Sequence, residues 1–209
     1  MTPVRTRAAR GEGERLRDEV LDAAESLLVE AGSTLGVSMR QIADSVGVTP
    51  PALYRHFDDK EELFYEVCLR RFGEFHEHML AAVKDVDGPA DRLAALGRAY
   101  VEYGLRHARQ YEVLFVDKTD ITFDGRQDLE DLPGARAMQL LVDTIADGIE
   151  QGVFRDVDPW LCAVDLWAQT HGLVLTITTL NEGATPFPPV DEQQLVDLSM
   201  KRALHGLLA

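Results

Sequence analysis

Apolar residues return every three or four positions along almost the whole of this 209-residue chain, and no stretch longer than a few residues alternates as a half-buried strand does. That periodicity confines the fold to the all-α class, with stop signals dividing it into about nine helices. Leu16, Val20, Ala23, Leu27 and Ala31 form one stripe, and Gly32 follows where a C-terminal cap belongs. A long helix opens after Phe57, capped by Asp58 or Asp59, and closes before Asp87-Gly88-Pro89. Further helices are expected at about 89–107, 109–116, 134–151, 158–181 and 191–208. The acidic connection from Asp117 to Leu132 reads as a loop, and Asn181 to Pro189, with three prolines, as a turn.

Between residues 38 and 57 the signals are denser. Ser38 can cap the helix beginning Met39-Arg40-Gln41-Ile42, Gln41 can reach back to it, and Val37 can staple to Ile42. Gly47 ends that helix. Thr49 can cap another, with Pro50 at the first helical position, where a missing N–H costs nothing. Two helices of about two turns each, joined by a tight turn containing glycine, have the geometry of a helix-turn-helix. Neither is stable alone, so the first helix must support the pair and leave the outer face of Thr49–Phe57 open. Arg40 can fork onto guanine, small side chains at the start of the second helix allow approach to bases, and its positive dipole end suits phosphate.

A net charge of −15 argues against nucleic acid only if the charge is evenly spread. It is not: residues 1–57 hold seven arginines against eight acids, leaving −14 on the remainder. Such a body is repelled from DNA everywhere except at its Arg-rich tip. Arg5, Arg7 and Arg10 read as a solvated tail, with a minor-groove arm as the alternative. There is no apolar run of membrane-spanning length and no secretory signal, so the chain is expected in the cytoplasm. Cys68 and Cys162 lack partners at metal-ligand spacing, and His76 and His78, two apart, fall on different helix faces. No metal or cofactor is expected. Nor is there a nucleophile with its base, a pair of catalytic carboxylates or a phosphate loop, so no enzyme is expected.

Ser38-Met39-Arg40-Gln41-Ile42-Ala43, Gly47-Val48-Thr49-Pro50-Pro51-Ala52-Leu53-Tyr54-Arg55-His56-Phe57 and Lys60-Glu61-Glu62-Leu63, at these spacings, resemble the DNA-binding module of the TetR repressor family. The resemblance implies phosphate contacts from Ser38, Thr49, Tyr54, His56 and Lys60, and base contacts from Arg40, Pro50, Pro51 and Ala52, with Arg55 beside them. The Pro50-Pro51 pair departs from the family pattern, removing hydrogen-bonding side chains from the tip and leaving base preference open. Further on, Trp167-Ala168-Gln169-Thr170-His171-Gly172 resembles the Trp-x-x-x-His-Gly signature of one subgroup. The family also implies a homodimer in which the last two helices pair with their twins, with Leu173, Ile177, Leu180, Leu195, Leu198, Leu204 and Leu207 as seam positions. It divides the chain into a flexible arm (1–13), a helix-turn-helix DNA-binding domain (14–60) and a ligand-binding and dimerisation domain (61–209).

Within the last of these, Tyr100, Tyr103, His107, Phe115, Phe123, Met138, Trp160, Trp167 and His171 form a set rich in aromatics with a few polar tips, as ligand pockets are. Trp167 and His171, one turn apart, read equally as pocket lining or as a packed core pair. The acidic group Asp117, Asp120, Asp124, Asp128, Glu130 and Asp131 reads as a solvated face. The functional expectation is a repressor released from a palindromic operator by a small apolar or aromatic effector. Two alternatives stay open: a helical small-molecule-binding protein without specific DNA function, and an activator or corepressor-dependent regulator.

Overall fold

Ser38 performs the capping expected of it. In the computed structural model, which describes residues 12–115, 132–181, 183, 188 and 190–209, the Ser38 hydroxyl accepts from the Gln41 N–H at 3.3 Å, and the Gln41 side chain accepts from the Ser38 N–H at 2.9 Å. This reciprocal pair starts α2 (Met39–Val46), and Gly47 ends it in the left-handed region, with φ 71°. The same local logic sets the other boundaries. Asp59 accepts from the Glu62 N–H at 2.7 Å to begin α4 (Lys60–Val83), and Asp191 caps α9 (Glu192–Leu207) through the Gln194 N–H. The described residues form nine α-helices: α1 (Glu12–Ala31), α2, α3 (Pro50–Leu53), α4, α5 (Pro89–Arg106), α6 (Ala108–Phe115), α7 (Pro133–Glu150), α8 (Pro159–Asn181) and α9. A single 3-10 turn, Thr34–Gly36, lies between α1 and α2.

The chain divides into two compact units, Met1–Arg71 with Arg109–Asp128, and Phe72–Ala108 with Leu129–Ala209, so that α4 contributes to both. In the first unit α1 packs on α2 and α2 on α3. Its interior is Val20, Leu21, Ala24 and Leu28 from α1, Ile42 and Ala43 from α2, then Leu53, Phe57, Leu63, Phe64 and Val67. One charge lies among them. Glu25 is 6% exposed; its carboxylate accepts from Arg71 Nε at 2.6 Å and Arg70 Nη2 at 3.1 Å, while Arg70 Nη1 also pairs with Asp22 at 2.8 Å. Burial, and then the Glu25 carboxylate, push the Cys68 thiol up to about 12, so it stays protonated at neutral pH.

In the second unit α5 packs against α7, α8 and α9, and α8 packs against α7 and α9. The core there gathers Leu93, Ile145, Phe154, Ala163, Leu166 and Leu207. Phe154, in the α7–α8 connection, forms an isolated antiparallel bridge with Leu208, which ties the chain end to the core. Its ring lies on Gly148 of α7, where a Cβ would collide with three ring carbons. In an unconstrained helix Gly→Ala stabilises by about 0.5–1 kcal/mol. Here Gly148→Ala should instead destabilise by about 1–3 kcal/mol through overpacking, read as a lower midpoint in denaturant melts. An unchanged or raised midpoint would mean that the Phe154 ring is free to move aside.

Candidate functional site

α2 and α3 carry the residues that the sequence singles out for DNA. Arg40 projects from α2 with its side chain 84% exposed, drawn only loosely to Asp44 at 3.9 Å. On α3 and the turn after it, Thr49, Pro51, Tyr54 and Arg55 are exposed, Pro50, Ala52 and His56 are half-buried, and Leu53 and Phe57 face inward. Arg40 and this outer row therefore stand at the surface of the first unit, and Leu53 and Phe57 anchor it from beneath.

Two features of the segment differ from the sequence expectation. α3 has four residues where two turns were expected. The Leu53 carbonyl accepts from both His56 and Phe57, at 2.8 and 3.1 Å, so Tyr54 to His56 form a turn that delivers Phe57 to the interior. Thr49 occupies the N-cap position without a side-chain bond; its backbone carbonyl accepts from the Ala52 N–H at 2.8 Å. Ser38 caps α2 as expected, its hydroxyl shared with Gln41.

Lys60 is turned inward. Its ammonium donates to the carbonyls of Thr34 at 2.9 Å and Val37 at 3.1 Å, so it pins the 3-10 turn to the start of α4. Arg17 of α1 holds the other side, with its guanidinium 5.4 Å from the centre of the Phe57 ring and an ion pair to Glu66 at 3.1 Å. Sequence reading did not find Arg17, because its partners lie about 40 and 49 positions further along the chain. Arg5, Arg7 and Arg10 lie outside the described residues.

The second unit brings five of the nine expected pocket residues together. Trp167 Nε1, which can only donate, reaches the Tyr100 hydroxyl at 3.1 Å, and that hydroxyl lies 3.4 Å from His171 Nδ1. The Trp167 and His171 rings are 5.3 Å apart. Phe75, absent from the expected set, meets Tyr100 and Tyr103 edge-on at 5.3 and 5.2 Å, and Tyr103 meets His107 at 4.5 Å. His78 joins them, 5.5 Å from Tyr103, with Nε2 on the Ala99 carbonyl at 3.2 Å. Two expected members lie apart. Met138 packs against the Leu93–Ile145–Phe154 core. Trp160, two turns before Trp167 on α8, is 58% exposed. Phe123 and the side chain of Phe115 lie outside the described residues, as does the acidic group from Asp117 to Asp131.

An open groove of about 460 Å³ runs between α8 and α9, with Leu173, Leu195 and Leu198 among its lining. Leu198 is 53% exposed. Of the remaining expected seam positions, Leu180 and Leu195 are half-buried, Leu173, Ile177 and Leu207 are buried, with Leu173 and Leu207 still lining the groove, and Leu204 packs on the core.

Residues 20–67 match bacterial regulatory proteins of the tetR family, and residues 93–202 match the tetracyclin repressor-like C-terminal domain. The transcriptional repressor KstR2 of Mycolicibacterium smegmatis is 30% identical over 147 residues, 68% of this chain and 70% of that protein. A structure of a protein with unknown function from Rhodococcus sp. RHA1 superposes with a TM-score of 0.76 at 26% identity, covering 93% of this chain and 96% of the other. FadR of Bacillus subtilis, solved in complex with stearoyl-CoA, has the same fold, with a TM-score of 0.71 at 18% identity over 90% of this chain and 98% of its own. Among the described residues no helix is long and apolar enough to cross a membrane.

Burial lowers the pKa of His171 from its ordinary 6.5. A ring whose folded pKa is depressed contributes stability that is fully present above pH 6.5 and is lost as pH falls through the folded value, because the unfolded chain then binds the extra proton. The His171 resonances should therefore titrate with a midpoint below 6.5 in NMR. Between neutrality and the folded midpoint, His171→Gln should flatten the acid loss of stability; a midpoint at or above 6.5 would contradict the burial argument.

Proposed function

The chain belongs to the TetR family of bacterial regulatory proteins, and from that premise, which makes it a DNA-binding transcriptional regulator and not an enzyme, we propose that it is a homodimeric repressor. It sits on a palindromic operator, and a small, largely apolar or aromatic effector releases it. The observation that carries this reading is the capped α2–turn–α3 segment, which turns Arg40, Pro51, Tyr54 and Arg55 outward on one supported surface. In this division of labour residues 14–60 read DNA and 61–209 sense and dimerise. A two-fold protein requires a two-fold site, so half-site centres lie about one helical turn, or a multiple, apart.

The rings of Phe75, Tyr100, Tyr103 and Trp167 support the effector class, with Tyr100 and His171 as polar tips. The acyl chain of a ligand such as the stearoyl-CoA bound by Bacillus subtilis FadR falls within that class. The run from Trp167 to Gly172 supports assignment to the Trp-x-x-x-His-Gly subgroup.

Arg40→Ala should relax base preference, costing about 1–3 kcal/mol of discrimination between matched and scrambled operators. Tyr54→Phe, which removes only the hydroxyl assigned to phosphate, should weaken binding to both alike. Titrations on the two DNAs separate these outcomes, and equal loss of discrimination in both variants would overturn the assignment. For the sensor, Trp167→Phe removes the N–H on Tyr100 and should shift effector affinity while leaving operator affinity without effector unchanged. By linkage the effector must bind more weakly when operator is present, with a coupling of about 1–3 kcal/mol; an effector indifferent to operator would exclude the release mechanism.

A further inference from the structure

The groove between α8 and α9 has walls of opposite charge. Asp165 stands on α8 and Arg202 on α9, both exposed, and both line the groove that also holds Leu195 and Leu198. They lie toward the same end of it, since Cys162 of α8 and Ala203 of α9, their near neighbours along the chain, both line the groove and both pack on the same core. Asp165 accepts from the Gln169 amide at 2.7 Å, a contact that orients the carboxylate without neutralising it. Arg202 makes no ion pair with any described residue of its own protomer. Gly206, one turn beyond Arg202, leaves the wall open: a Cβ there would meet nothing within 4 Å.

An acid, a base and an exposed leucine on one surface are self-complementary, because in a two-fold interface residue i meets residue j of the partner and j meets i. A small anion or cation would use only one of the two walls; a second copy uses both. We propose that Asp165 pairs with Arg202 of the partner subunit, and Arg202 with the partner subunit's Asp165, and that this doubled pair makes the chain select itself as partner. The inference rests on the homodimer reading above and adds the residues that give it specificity. Two ion pairs flanking an apolar seam discourage association with a chain that lacks the matching charges, since like-charge or unpaired juxtapositions are penalised on desolvation.

Charge reversal separates pairing between subunits from pairing within one. Asp165→Lys alone sets Lys against Arg twice, and Arg202→Glu alone sets Glu against Asp twice. Each single variant should raise the dimer dissociation constant about tenfold or more, measured by sedimentation across a dilution series, with circular dichroism confirming that the helices persist. Mixing the two single variants, labelled with different fluorophores, should restore a heterodimer, because both of its pairs are then attractive. Asp165→Lys/Arg202→Glu in one chain should restore the homodimer. If only that double variant recovers and the mixture does not, the charges pair within the protomer and the proposal fails. It fails too if the single variants dimerise like the parent. Leu198→Glu tests the underlying reading separately: a monomer there beside unaffected charge variants keeps the interface and removes only the charge pair, whereas a dimer there moves the interface elsewhere.

Discussion

A carboxylate buried between two helices holds the DNA-reading end in shape. α2 and α3 are too short to persist alone, and the elements framing them in their unit are α1 and the first half of α4. Glu25 joins those two through Arg70 and Arg71, at 6% exposure. Removing a carboxylate from water costs several kcal/mol, which only multiple charge-assisted bonds offset. The pair must therefore meet in one register, because sliding either helix by a turn would leave a buried charge without its partners. Apolar packing of similar area would tolerate more registers.

The same economy governs the other cations of this unit. Arg17 lies over Phe57, Lys60 grips two carbonyls, and Arg70 and Arg71 face Glu25. Four basic groups are thus committed to holding this unit together. What remains outward on α2 and the α3 segment is Arg40 and Arg55, with the half-buried His56 beside them.

How much of this was legible in the sequence follows from range. The cap of Ser38 by Gln41, the glycine stop at Gly47 and the Asp59 cap are settled within four residues, and each stands where the sequence put it. The Lys60 ammonium and the Glu25 carboxylate find partners 23 to 46 residues away, and no local pattern announces them. α3 is an intermediate case. Its start is written in Thr49-Pro50, but its end is set by where Phe57 must be buried, so two turns became one.

α8 shows why apolar periodicity alone cannot tell a partner-facing residue from a core one. Its residues turn by about 100° each, and three arcs of its surface have different employers. Ala163, Leu166, Thr170, Leu173, Val174 and Ile177 fill the interior; Trp167 and His171, on the next arc, belong to the ring cluster; Asp165 and Gln169 occupy the remaining side. A helix apolar on nearly every side gives no amphipathic stripe from which to read its orientation, so Ile177 looks as suited to a partner as to the core. The polar residues are the better guide: Asp165 and Gln169 could not have faced the interior unpaired, and they mark the outer side. Because one helix carries all three arcs, a rotation that moves Trp167 and His171 relative to Tyr100 also moves Asp165 relative to Arg202. The ring cluster and the α8–α9 groove therefore share one helix within a single unit.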